Sequence, residues 1–126
     1  MGTLEELGRE RWLLLETRKR DGSWVGTPVN LVVEDGRAFF KTYDPSGKVK
    51  RLRNFPEVRV APCTMRGRVT GSRVEGRATL LDASLSTRAG ALLARKHPLL
   101  QGRLVPAFHK RKGLKTLYYE LTLEQN

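Results

Sequence analysis

Residues 12–43 read WLLLETRK (12–19), RDGS (20–23), WVGTPVNLVV (24–33), EDGR (34–37) and AFFKTY (38–43). Apolar and β-branched residues dominate the three longer runs, and each intervening tetrapeptide carries Asp-Gly. Asp-Gly supplies the positive φ of a tight hairpin turn, so Asp21-Gly22 and Asp35-Gly36 predict two hairpins joining three antiparallel strands. Pro28 stands inside the second run. It has no N–H to give to a ladder, which places it on a sheet edge or at a bulge.

On the N-terminal side, Thr3-Leu4-Glu5-Glu6 fits a capping box that starts a short helix. On the C-terminal side, Asp44-Pro45-Ser46-Gly47 breaks the third strand, and Lys48 to Asn54 predicts one or two helical turns stopped by Pro56. Val58 to Thr64 predicts a fourth strand, Arg66-Gly67-Arg68 a turn, and Val69 to Leu81 a fifth. Leu85, Ala89, Leu92 and Leu93 recur at helical spacing within a helix from Ser84 to Lys96, which His97-Pro98 ends. A basic, glycine-containing loop leads to Lys115. In the last strand Leu117, Tyr119, Leu121 and Leu123 share one face, and Thr116, Tyr118, Glu120 and Thr122 the other. Six strands, short hairpins and little helix predict a mainly β, antiparallel barrel, since closure removes exposed edges. One domain is expected over residues 1–126.

Composition narrows the chemistry. The 126 residues carry 24 Lys and Arg against 13 Asp and Glu, a net charge of +11. Such an excess attracts nucleic acid, anionic membranes or anionic small molecules without choosing among them. A nucleic-acid partner is disfavoured: aromatics are only 7% of the chain and are not interleaved with the basic runs. No apolar run approaches a membrane span, and the N-terminus lacks the pattern of a secretory signal. Cys63 is the only cysteine, which fits a reducing compartment, and the cytoplasm is expected. The two histidines, His97 and His109, form no metal-ligand spacing with it, so no metal is expected. No nucleophile elbow, Walker loop or dinucleotide fingerprint occurs, and Cys63 reads as a core or pocket-wall residue. A reactive group, if there is one, is expected to come with a cofactor.

One run concentrates anion-binding groups. Between Phe40 and Pro56, a strand end, the Ser46-Gly47 turn and a helix start gather amides, hydroxyls and the cations Lys48, Lys50, Arg51 and Arg53. Helix N-termini and turn amides point donors at an anion, and Lys48 and Arg51 lie one helical turn apart. A phosphate suits that arrangement; an ordinary basic helix on a solvated surface would look the same.

Several segments together resemble the pyridoxamine 5′-phosphate oxidase-like superfamily. They are Gly22 with Thr27-Pro28-Val29, then Thr42 followed by Ser46-Gly47-Lys48-Val49-Lys50-Arg51-Leu52. Asn54, Pro56 and Val58, Ala61-Pro62-Cys63, Gly67-Arg68, Gly71 and the run Val74 to Leu81 continue it over nearly the whole chain. The Ser-Gly-Lys-x-Lys-Arg and Ala-Pro-Cys segments are most similar to its deazaflavin-dependent oxidoreductases. The resemblance implies a split β-barrel, a homodimer with cofactor sites at the interface, and FMN or the deazaflavin coenzyme F420 as cofactor. By position, Thr27, Pro28, Val29 and Asn30 would line the ring from one strand, and Lys41 and Thr42 would border it from the next. Ser46, Gly47, Lys48, Lys50 and Arg51 would hold the phosphate. F420 carries a polyglutamate tail, and the charge of the chain, with Arg66, Arg68, Lys110, Arg111 and Lys112, favours that longer anion over FMN.

The implied activity is hydride transfer between the cofactor and an unsaturated small-molecule substrate, with Trp24, Tyr43 or Tyr118 as stacking walls. No catalytic proton donor stands out. After Leu121-Thr122-Leu123 nothing resembles the Arg- and His-containing substrate motif of the oxidases proper, and the Phe108–Lys112 loop is unfamiliar to the family. The competing class is a non-catalytic module that binds F420 or nucleic acid.

Overall fold

In the computed structural model, which describes residues 3–97 and 115–124, both Asp-Gly turns form. Gly22 has φ 89°, and Asp35 and Gly36 have φ 53° and 75°. The first turn joins β1 (Leu13–Arg18) to β2 (Trp24–Val29), and the second joins β3 (Leu31–Glu34) to β4 (Arg37–Asp44). After β4 come α2 (Gly47–Asn54), β5 (Glu57–Pro62), β6 (Val74–Leu80), α3 (Ala83–Lys96) and β7 (Lys115–Leu123); α1 (Leu4–Gly8) precedes β1. The Thr3–Glu6 capping box forms as expected. No helix of the described residues is long and apolar enough to cross a membrane.

The described strands number seven, not six. The run 24–33 splits at Asn30 because its halves pair with different neighbours, β2 with β1 and β3 with β4. The fifth strand also starts later than expected, at Val74. Residues 70–73, Thr-Gly-Ser-Arg, hold no apolar side chain to bury, and only a Cys63–Val69 bridge continues the ladder there.

All seven strands form one antiparallel sheet in the order β2-β1-β5-β6-β7-β4-β3. Its two outermost strands are consecutive in the chain, so the sheet must curl until they meet at Asn30. Pro28 sits on edge strand β2, opposite Leu14, where its missing N–H costs no ladder bond.

Period-two alternation fills the interior. Leu13 and Leu15, Val29, Leu31, Phe40, Val58 and Val60, Val74, Ala78, Tyr119 and Leu121 face inward, and Phe40 stacks on Tyr119 at 5.4 Å. Leu7 of α1 and Leu52 of α2 complete this core. Outside the sheet, α3 covers Val32 and Phe39 with Ala89, Leu92 and Leu93. The loop expected to hold Phe108, His109, Lys110, Arg111 and Lys112 lies outside the described residues.

One ammonium ties the ends of this arrangement together. Lys96 Nζ donates to the carbonyls of Gly8 (2.6 Å), Glu10 (3.2 Å) and Leu31 (2.6 Å). Three donors meet three acceptors, joining the end of α3 to the end of α1 and the start of β3. Lys96→Met should strip the Gly8, Glu10 and Leu31 carbonyls of this donor and lower stability by about 1–3 kcal/mol. Urea unfolding checks this, and an unchanged midpoint would contradict it.

Candidate functional site

Ser46 caps α2: its hydroxyl accepts the amide of Val49 at 3.2 Å. The cap leaves amides of the first helical turn, at Gly47 and Lys48, free to donate outward. Val49 and Leu52 anchor the helix by their buried faces. With α2 held against β1 and β4, the side chain of Arg51 reaches back to β1, where its Nε donates to Thr17 Oγ1 at 2.6 Å.

The guanidinium then lies across the first turn of its own helix. A Cβ at position 47 would stand 2.8 Å from Arg51 Nη1, so glycine lets the fork lie over the free amides without the shift that a side chain would force on it. Lys48, on the same face, is half-buried. Burial lowers its ammonium to about 8, and the neighbouring Arg51 charge pushes the same way. Among the described residues no carboxylate acts on it, and no ion pair holds Arg51. All thirteen acidic residues of the chain lie within the described segments, so residues 98–114 cannot supply one either.

The structure therefore brings Ser46, Gly47, Lys48 and Arg51 to one turn. Lys50 is exposed and, two residues from Lys48, faces another way. Arg51 departs from the picture of a free surface cation, because it holds Thr17, which is fully buried. Composition did not flag Thr17, although the inward series Leu13-Leu15-Thr17 puts a hydroxyl where a leucine would be expected.

The expected ring-lining residues divide between faces. Val29 belongs to the interior core, and the Asn30 amide donates to the carbonyl of Arg11 at 2.9 Å. Thr27 also points inward, opposite Leu15, and its hydroxyl is buried without a partner among the described residues. Pro28 faces outward. Thr42 is inward and buried, whereas Lys41 beside it faces outward and is half-buried. Lys41 and Thr42 thus present side chains to opposite sides of β4.

Trp24 is no free stacking wall: Arg59 lies over it at 4.3 Å and Arg18 at 6.0 Å. Cys63 is buried, and burial with the nearby Glu10 charge raises its thiol pKa, as suits a wall residue rather than a nucleophile. Among the described residues no cluster of His, Cys, Asp and Glu can hold a metal.

What this turn offers is a cradle for a phosphate-sized anion. Two cations and free amides converge without an acid among them, and on β2, the neighbour of β1, the buried Thr27 hydroxyl has no partner among the described residues. A phosphate-bearing cofactor fits these donors.

Protonation of Lys48 should govern anion affinity. A phosphate monoester is already a dianion above pH 7, its second pKa being about 6. Affinity for FMN at fixed ionic strength should accordingly fall as pH rises through about 8, where free Lys48 loses its proton. Lys48→Arg should flatten the profile, and a wild-type affinity constant from pH 7 to 9.5 would contradict it. In the free protein the sign is opposite. The lowered pKa means the charged form is disfavoured on folding, so stability should recover as pH rises from about 8 toward 10.5.

No protein-family model matches the chain, and no curated protein matches it. Solved structures do match its fold. A candidate pyridoxamine 5′-phosphate oxidase from Listeria innocua superposes with a TM-score of 0.67 at 16% identity, covering 97% of this chain and 90% of that one. An FAD-binding protein from Mesorhizobium loti gives 0.65 at 18% identity over 96% and 84%. The heme storage protein HutZ from Vibrio cholerae gives 0.69 at 14% identity over 100% and 93%. At such identities the likeness is one of fold: the curled antiparallel sheet with a few short helices, consistent with a split barrel, is shared with these proteins.

Proposed function

We propose that this chain is an oxidoreductase that binds a phosphate-bearing flavin-type cofactor, coenzyme F420 in preference to FMN, and serves hydride transfer to or from an unsaturated small molecule. The observation that carries it is Lys48: an ammonium half-buried beside a second cation, over a helix start, with no acid among the described residues to neutralise it. Burying charge is costly unless it is paired, and an anionic ligand supplies the missing partner. That the Listeria and Mesorhizobium proteins of this fold are described as a candidate oxidase and an FAD binder supports the cofactor class. The net charge of +11 supports the longer, polyglutamylated anion.

Gly47 and Lys48 amides, Lys48 Nζ and the outer nitrogens of Arg51 would hold the phosphate. Thr27 from β2 would offer a hydroxyl on the ring side. The bound cofactor supplies the hydride chemistry; the chain fixes its position and keeps water from the reacting face. We place the working form as a homodimer in the cytoplasm. The resemblance supports the dimer, as do two large apolar side chains left exposed, Met65 (64%) and Leu80 (56%). Sedimentation at micromolar concentration should show twice the monomer mass, and a monomer alone would overturn the dimer.

Equilibrium titration with F420 and FMN tests cofactor choice: F420 should bind more tightly, and parity or an FMN preference would remove it. Lys48→Met should weaken both by about ten-fold or more, since a charge-assisted bond contributes roughly 1.5–3 kcal/mol. The same substitution should leave the ligand-free protein as stable as its parent or more so, because it removes a desolvated, unpaired charge. Arg51→Ala is a poorer probe, for it also strips Thr17 of its donor.

A further inference from the structure

On β1 the inward series Leu13, Leu15, Thr17 ends in a hydroxyl that is fully buried. Two groups engage it. Arg51 Nε donates to Thr17 Oγ1 at 2.6 Å, and the same hydroxyl donates to the carbonyl of Val25 at 3.5 Å. A guanidinium carries donors alone, so the hydroxyl must accept from it and send its own hydrogen elsewhere. Val25 stands opposite Thr17 in the β1–β2 ladder, which puts that acceptor within reach.

The bond fixes one edge of the arginine fork. With Nε turned to β1, the outer nitrogens face the first turn of α2, where a Cβ at position 47 would stand 2.8 Å from Nη1. Without this restraint Arg51 has reason to swing away. Its charge opposes that of Lys48, and a long side chain regains rotamer freedom in solvent. A carboxylate at position 17 would hold the fork as well, but it would cancel the charge. The chain uses that solution one residue earlier, where Glu16 takes Arg59 at 3.1 Å and Arg73 at 2.9 Å on the outer face of β1. A hydroxyl restrains the guanidinium and leaves its charge for a ligand.

We propose that Thr17 is a positioning residue for the α2 turn: its hydroxyl orients Arg51 so that Nη1 and Nη2 meet the cofactor phosphate end-on, and it thereby sets the preference for phosphate-bearing over phosphate-free cofactors. The inference rests on the reading of α2 as the phosphate site. It adds that affinity depends on a buried strand residue that makes no contact with the phosphate.

Thr17→Val removes the hydroxyl at nearly constant volume, and Thr17→Ser keeps it. Each is titrated with FMN and with riboflavin, which has the same ring without the phosphate. Thr17→Val should bind FMN about ten-fold more weakly and riboflavin as the parent does. Thr17→Ser should bind both within about two-fold of the parent. Inorganic phosphate gives a readout without the ring: it should shift the Gly47 and Lys48 amides saturably, and about ten-fold more weakly in Thr17→Val. In the unmodified protein the Arg51 Nε–H should exchange with water more slowly than that of an exposed arginine, before and after FMN is added. Loss of that protection on binding would overturn the proposal. An equal loss of FMN and riboflavin affinity in Thr17→Val would also overturn it, because Thr17 would then only dock α2 to β1. Parental FMN affinity in Thr17→Val, with Lys48→Met still weakened, would sink the role of Thr17 and leave the phosphate turn standing. If the parent binds FMN no better than riboflavin and phosphate moves neither amide, the phosphate turn itself is wrong, and Thr17 has nothing to position.

Discussion

β2 and β3 are the two outermost strands of a seven-stranded sheet, and a single residue joins them. Val29 and Leu31 can be no more than about 7 Å apart along the chain, so the sheet's two edges must meet there. No flat sheet satisfies that condition; only a curled one does. The neighbourhood of Asn30 is accordingly held by several hydrogen bonds between distant parts of the chain. Asn30 holds the Arg11 carbonyl, and Lys96 gathers Leu31 with Gly8 and Glu10. Closure also answers an energetic need, because exposed strand edges invite pairing with other chains.

Curling gives every strand an inside and an outside, and this sorts the candidate site. On β2, Thr27 and Val29 go in while Pro28 goes out; on β4, Thr42 goes in while Lys41 goes out. Neighbours in sequence therefore serve different surfaces. A ligand contacting both Lys41 and Thr42 would have to meet one of them through its backbone. The α2 turn escapes this constraint, since a helix end presents amides and the side chains at i and i+3 in one direction.

Much of the fold was legible because local chemistry and tertiary structure agree. Asp-Gly turns, the Thr3–Glu6 box, the short helix before Pro56 and the alternation from Leu117 to Leu123 each have one physical reading, and each appears as expected. The break at Asn30 was not legible. The run from Trp24 to Val33 stays apolar across it, and only the pairing partners, which are non-local, divide it. The late start of β6 had a local signal in Thr70-Gly71-Ser72-Arg73, outweighed by Val69 ahead of it. At the site, the convergence of Lys48 and Arg51 followed from helical spacing. Arg51's bond to Thr17 did not, because it spans 34 residues of sequence. The burial of Lys48 was equally out of reach, since exposure depends on how α2 docks.

Fold likeness alone leaves the ligand open: one architecture is shared with a candidate oxidase, an FAD binder and a heme storage protein. What separates such proteins is the chemistry of particular side chains, and here the distinguishing feature is an imbalance. Among the described residues several cations are paired: Arg37 with Glu120, Arg59 and Arg73 with Glu16, Arg88 with Glu34. Within that same set Lys41 and Lys48 form no ion pair although both are half-buried, the condition under which pairing matters most. Exposed unpaired lysines would mean little in a chain of charge +11. Desolvated ones destabilise the free protein, and a stable fold keeps such a cost most readily where a bound anion offsets it.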